Sequence, residues 1–255
     1  TCAAFEPALD YVVTKMPRFP FDKFSDASNA LSTQMKATGE TMSVGRSFEE
    51  SLLKGIRSLE IGVYHLHMAK FDSWGREDLL DYIKIGTDDR IYAISQLMGM
   101  GVDPSLICNR TQIDMFFLDK IKKIVDFERE LERAPHDPAT LREAKRMGFS
   151  DSYIAELWNT TEDEVYGWRV RENIFPVYKM IDTCASEFDS YVPYFYSTYA
   201  EENESVVTDR RKVIILGSGP IRIGQGVEFD YSTVHAVHTI REMGYEAIVI
   251  NNNPE

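Results

Sequence analysis

The stretch KVIILGSGPIRIGQGVEFDYSTVHAVHTIREMGYEAIVINNNPE, Lys212 to Glu255, decides the fold reading. It reads as strand, glycine-rich turn, helix, strand. Val213–Leu216 and Ala247–Ile250 are apolar runs of the kind buried in a parallel sheet. The turn between strand and helix holds Gly217, Gly219, Gly224 and Gly226. Glycines there let backbone N–H groups approach an anion, and the following helix offers its positive end. A dinucleotide fingerprint needs GxGxxG, yet the third glycine falls due at Arg222. The segment VINNNPE also lacks the acidic residue expected to hold a ribose. An ordinary NAD site is therefore disfavoured. Four glycines exceed what a tight turn alone needs. Arg222, Gln225 and Glu228 cluster with them, so a polar site is expected at the carboxyl edge of the sheet.

Upstream, residues 173–205 lose helical periodicity and are rich in aromatics; they read as extended chain on a surface, closing in a polar linker near Glu201–Asp209. From Ser47 to about residue 172 the pattern is helical nearly throughout. Ser47 with Glu50 three residues on predicts a capping box, with Gly62 as the stop. Short helices follow at REDLLDYIKIG and DDRIYAISQLMGMG, the second with aspartate at its start, then a turn or helix at DPSLIC. Thr111–Arg133 is the longest, with Ile113, Phe116, Phe117, Ile121, Ile124, Val125 and Leu131 as its buried stripe. A helix with proline in its first turn then runs to Gly148, and two short helices follow over Phe149–Asn173. Before Ser47 only Leu9–Met16 reads as a strand.

Composition narrows the function classes. The 255 residues carry a net charge of −13, which argues against nucleic acid and anionic membranes as partners. The two helices at Phe149–Asn173 resemble a helix-turn-helix in outline. The second opens with Glu162, Asp163 and Glu164, which suit the helix dipole and repel phosphate. Cys2, Cys108 and Cys184 are odd in number and far apart, so a disulfide framework or zinc site is not expected, and a reducing cytosol is. His65, His67, His136, His235 and His238 find no carboxylate or thiolate at ligand spacing. No apolar run reaches the ~18–20 residues of a membrane span.

The stretch GSGPIRIGQGVEFDYSTVHAVHTIREMGYEAIVINNNPE closely resembles the start of the second half of the carbamoyl phosphate synthase large subunit. FEPALDYVVTKMPRFPFDKF and MKATGETMSVGRSFEESLLKGIRSLE resemble the close of that family's first ATP-grasp half. IDMFFLDKI, KRMGFSD and FPVYKMIDTCASEFDSYVPYFYSTYAEENES resemble the helical domain joining the halves. One departure is Thr41, where an apolar residue is expected after Gly39-Glu40.

The resemblance implies an internal piece of a longer chain. The expected fold is a mainly α-helical oligomerisation domain over 47–205. A partial α+β ATP-grasp tail flanks it over 1–46, and an incomplete Rossmann-like α/β unit, the pre-ATP-grasp β-α-β, over 206–255. The implied enzyme is an ATP-dependent ligase that makes carbamoyl phosphate from bicarbonate, ammonia drawn from glutamine, and two ATP. Its product feeds arginine and pyrimidine synthesis, in a cytoplasmic and bacterial setting. ATP and magnesium or manganese belong to the full-length enzyme, with neither expected on this stretch. The implied partners are a glutaminase small subunit and further copies through the helical domain, with no nucleic acid and no membrane. No catalytic residue or metal ligand is expected here. Gly217, Gly219, Arg222, Gly224, Gln225, Gly226 and Glu228 are the expected substrate- or tunnel-lining set. The alternative is a free-standing helical scaffold without catalysis.

Overall fold

Short polar residues set most of the helix starts. The computed structural model describes residues 3–24, 26–188, 191–217 and 226–250. Strands β1 (Val12–Arg18) and β2 (Gly39–Gly45) come first, then α1 (Phe48–Ser58) and a single 3-10 turn at Ala69–Phe71. There follow α2 (Arg76–Tyr82), α3 (Arg90–Gly99), α4 (Pro104–Thr111) and α5 (Met115–Arg133). Next are α6 (Pro138–Arg146), α7 (Asp151–Leu157) and α8 (Glu162–Arg171). The chain continues through β3 (Val177–Met180), β4 (Phe195–Thr198), β5 (Lys212–Leu216), α9 (Gly226–Glu242) and β6 (Glu246–Ile250). Helices dominate the described residues. The strands form separate pairs, β1 with β2, β3 with β4 and β5 with β6.

Each cap has a chemical cause. Asp103 accepts the Ser105 N–H and Asp137 accepts the Thr140 N–H, each with proline next in the first helical turn. Ser150 accepts the Tyr153 N–H. Thr161 and Glu164 complete a reciprocal capping box on α8. Helices as short as α2 and α7, seven residues each, do not hold alone in water. Buried apolar faces hold them.

The chain forms two compact units. One gathers Thr1–Thr14, Val44–Lys54 and Glu130–Thr208. Its core includes Leu53, Leu131, Leu141, Phe149, Ile154, Val165 and Ile174. Within it the α6–α7 turn passes so close to α1 that a Cβ on Gly148 would lie 2.9 Å from the Glu50 Cα. Gly148 also has φ 92°, so both space and backbone call for glycine there. The other unit gathers Lys15–Ser43, Gly55–Arg129 and Asp209–Glu255. Ile56, Phe71, Leu79, Ile83, Ile94, Leu97, Met98, Ile107, Leu118 and Ile124 are buried there. Full burial of each such side chain stabilises by roughly 1.5–3 kcal/mol.

Several expectations need correction. The first strand lies at Val12–Arg18, shifted from Leu9–Met16. Ser47 does accept the Glu50 N–H at 3.2 Å, but the Glu50 carboxylate turns to the Arg46 N–H at 2.8 Å. Helix α1 ends at Ser58, before Gly62. Aspartate does stand at the start of α3, where Asp89 is the N-cap residue and its carboxylate takes Lys70, Tyr82 and Thr87 as donors rather than a helix N–H. On α5, Ile121, Ile124, Val125 and Leu131 are buried, whereas Phe116 and Phe117 are 54% and 44% exposed and pack edge-on against each other. Leu118 takes the buried position. Residues 173–205 are not merely extended, since β3 and β4 pair antiparallel with Val177 opposite Thr198 and Met180 opposite Phe195.

Candidate functional site

The predicted polar site belongs to the second unit, where β5 and β6 pair in parallel. Lys212 lies opposite Glu246 and Leu216 opposite Ile250, so both carboxyl ends share one edge. Helix α9 packs on both strands. At the edge the Gly217 N–H donates to the Ile250 carbonyl at 2.7 Å, which extends the ladder one residue into the turn. Gly226 opens α9, and Glu228 stands in that helix's first turn. Gly219, Arg222, Gly224 and Gln225 lie outside the described residues, as does the Glu228 side chain. Two of the predicted residues, Gly217 and Gly226, are thus placed at the strand end and the helix start. On this unit Ile214 and Leu216 are exposed on β5.

The remaining expectations are placed as follows. His235 and His238 both lie on α9, where the His235 ring packs against Tyr231 with centroids 4.2 Å apart. His67 accompanies Asp72 at 2.7 Å. Among the described residues no group of three His, Cys, Asp or Glu is placed to hold a metal ion. Among them also, no helix is long and apolar enough to cross a membrane. Thr41 is fully buried, and its hydroxyl donates to the Gly55 carbonyl at 3.4 Å, so the polar residue at this apolar position is satisfied.

The structure adds charge clusters that sequence spacing did not show. In the first unit, Asp151 accepts Lys145 at 2.7 Å on one oxygen and Arg169 at 2.8 and 2.5 Å on the other. All three side chains are nearly buried. Lys145 also donates to the Phe149 carbonyl and Arg169 to the Ile174 carbonyl, and the Tyr199 ring covers both cations. The cluster joins α6, α7 and α8 to the chain after them. A second cluster centres on Glu50, buried at the start of α1. It accepts the Thr198 hydroxyl at 3.0 Å and pairs with Lys54 at 2.7 Å, while Lys54 donates to the Val44 carbonyl. Nearby, burial pushes the Tyr196 phenol up to about 12.

In the second unit His65 is buried and pairs with Glu128 of α5 at 2.9 Å. Burial holds its imidazole below the ordinary value, against the pull of the Glu128 carboxylate. The Asp151, Glu50 and His65 clusters each pair with protein side chains, which locks elements together.

Two family models match the chain. The family model described as carbamoyl-phosphate synthetase large chain, oligomerisation domain, matches residues 40–173, just over half of the chain. Helices α1 to α8 fall inside it. A second model, carbamoyl phosphate synthase preATP-grasp domain, matches residues 209–255, which carry β5, α9 and β6.

Proposed function

The chain belongs to the carbamoyl-phosphate synthetase large-chain family, and from that premise we propose that it joins the two catalytic halves of an ATP-dependent ligase. Residues 47–205 serve as the linking and oligomerisation domain, residues 1–46 as the tail of the first ATP-grasp half, and residues 206–255 as the start of the second. The ligase makes carbamoyl phosphate from bicarbonate, ammonia released from glutamine by a glutaminase partner, and two ATP. The observation that carries the reading is the succession of two domains of one family in a single chain, the helical one first.

ATP and its divalent cation supply phosphoryl transfer in such an enzyme, by positioning and charge neutralisation. The residues that hold them are assigned in this reading to other parts of the large chain. What this chain contributes is placement. The buried Asp151 and Glu50 clusters give the helical domain fixed internal geometry. At the start of the second half, Gly217, Gly219, Gly224 and Gly226 belong to the proposed substrate- or tunnel-lining set. Arg222, Gln225 and Glu228 line the substrate or tunnel end of the second site.

The test is Glu228→Ala in the complete large chain assembled with its glutaminase. Carbamoyl phosphate formation is expected to fall further than bicarbonate-dependent ATP hydrolysis. Equal loss of both, or of neither, would overturn the role given to Glu228.

A further inference from the structure

Residues 174–208 lie between the two family matches and connect them. Within this connector the last residues fold back onto β3. The inner edge of β3 pairs with β4, and the Ile181 N–H continues that pairing by donating to the Tyr194 carbonyl at 2.9 Å. The outer edge would present bare amides. Instead the Tyr178 N–H donates to Asn203 Oδ1 at 2.9 Å, and the Met180 N–H donates to Glu204 Oε2 at 2.7 Å. The Glu204 N–H returns a bond to the Tyr178 carbonyl at 2.9 Å. The other oxygen of Glu204 pairs with Lys179 at 2.7 Å, and the Lys179 side chain is only 8% exposed. Asn203 in turn donates to the Ser205 carbonyl and hydroxyl oxygens. Just beyond Ser205, Val206 and Val207 are 73% and 78% exposed.

We propose that Asn203 and Glu204 clasp the outer edge of β3, fixing the point from which the connector runs on through the exposed Val206 and Val207. One carboxylate satisfies both a buried ammonium and an edge amide, and such charge-assisted bonds are the stronger kind. Lys179 holds the Glu204 carboxyl below its usual range, in keeping with the pair. The inference stands apart from the catalytic reading, because it concerns only how the connector is held.

Amide hydrogen exchange on the chain tests it. Glu204→Ala is expected to speed exchange at Met180 about tenfold or more, leaving Ile181 unchanged. Proteolytic cleavage within residues 199–208 is expected to quicken in the same variant. Asn203→Ala, which alters no charge, is expected to free the Tyr178 amide. Unchanged exchange at Tyr178 and Met180 in both variants would overturn the clasp. So would equal acceleration of Tyr178, Met180 and Ile181 in both, because β3 would then open as a whole.

Discussion

At Asp151 one carboxylate serves two buried cations, Lys145 and Arg169. The imbalance makes the three positions unequal. Asp151→Asn would leave two uncompensated charges in the interior, at a cost of about 3–5 kcal/mol. Lys145→Met would leave the Asp151–Arg169 pair one-to-one and is expected to cost less. Urea unfolding of the two variants checks the order. His65 gives a pH dependence. Burial lowers its folded value from the ordinary 6.5, with Arg57 and His67 adding to the shift and Glu128 opposing it. Below that ordinary value the unfolded chain takes up a proton that the folded chain refuses. The His65 contribution to stability is therefore full above pH 6.5 and is lost as pH falls from there towards the lowered folded value. Denaturation curves across this range are expected to slope less in His65→Gln than in the unaltered chain. Neither cluster was legible in the sequence. Asp151 stands 6 residues from Lys145 and 18 from Arg169, separations that only the folded path of α6, α7 and α8 closes.

At the scale of elements the sequence was most legible where caps and periodicity agreed. The helices between Ser47 and residue 172, and the parallel strands around the glycine-rich turn, stand close to where the pattern placed them. The departures have local causes. Leu118, Ile121 and Val125 form the tight i, i+3, i+7 seam of α5, so Phe116 and Phe117 fall outside it despite their size. The pairing of β3 with β4 went unread because aromatic richness alone carries no register. On α8 both halves of a Thr161–Glu164 capping box are made. Thr161→Ala is expected to destabilise the chain by about 1 kcal/mol, measured as a lower midpoint of thermal or urea unfolding. An unchanged midpoint would mean that burial of Val165 alone holds the helix start.

At the scale of the whole molecule, an acidic chain carries a mostly helical stretch that matches the family's oligomerisation domain, followed by a β-α-β stretch that matches its preATP-grasp domain. The glycine pattern in the turn argued against a dinucleotide site before any fold was known. The spacing of Arg222, Gln225 and Glu228 does not fix where their side chains point, and the first two residues and the Glu228 side chain lie outside the described residues. The central claim is that these residues work inside a carbamoyl-phosphate-forming ligase. The most direct measurement isolates the native protein with an antibody raised against this chain, then records its polypeptide mass and its carbamoyl phosphate formation from bicarbonate, glutamine and ATP. The expected result is a polypeptide several times heavier than 29.2 kDa, with the synthase activity travelling with it. A 29.2 kDa polypeptide without bicarbonate-dependent ATP hydrolysis would contradict the claim and favour a helical scaffold.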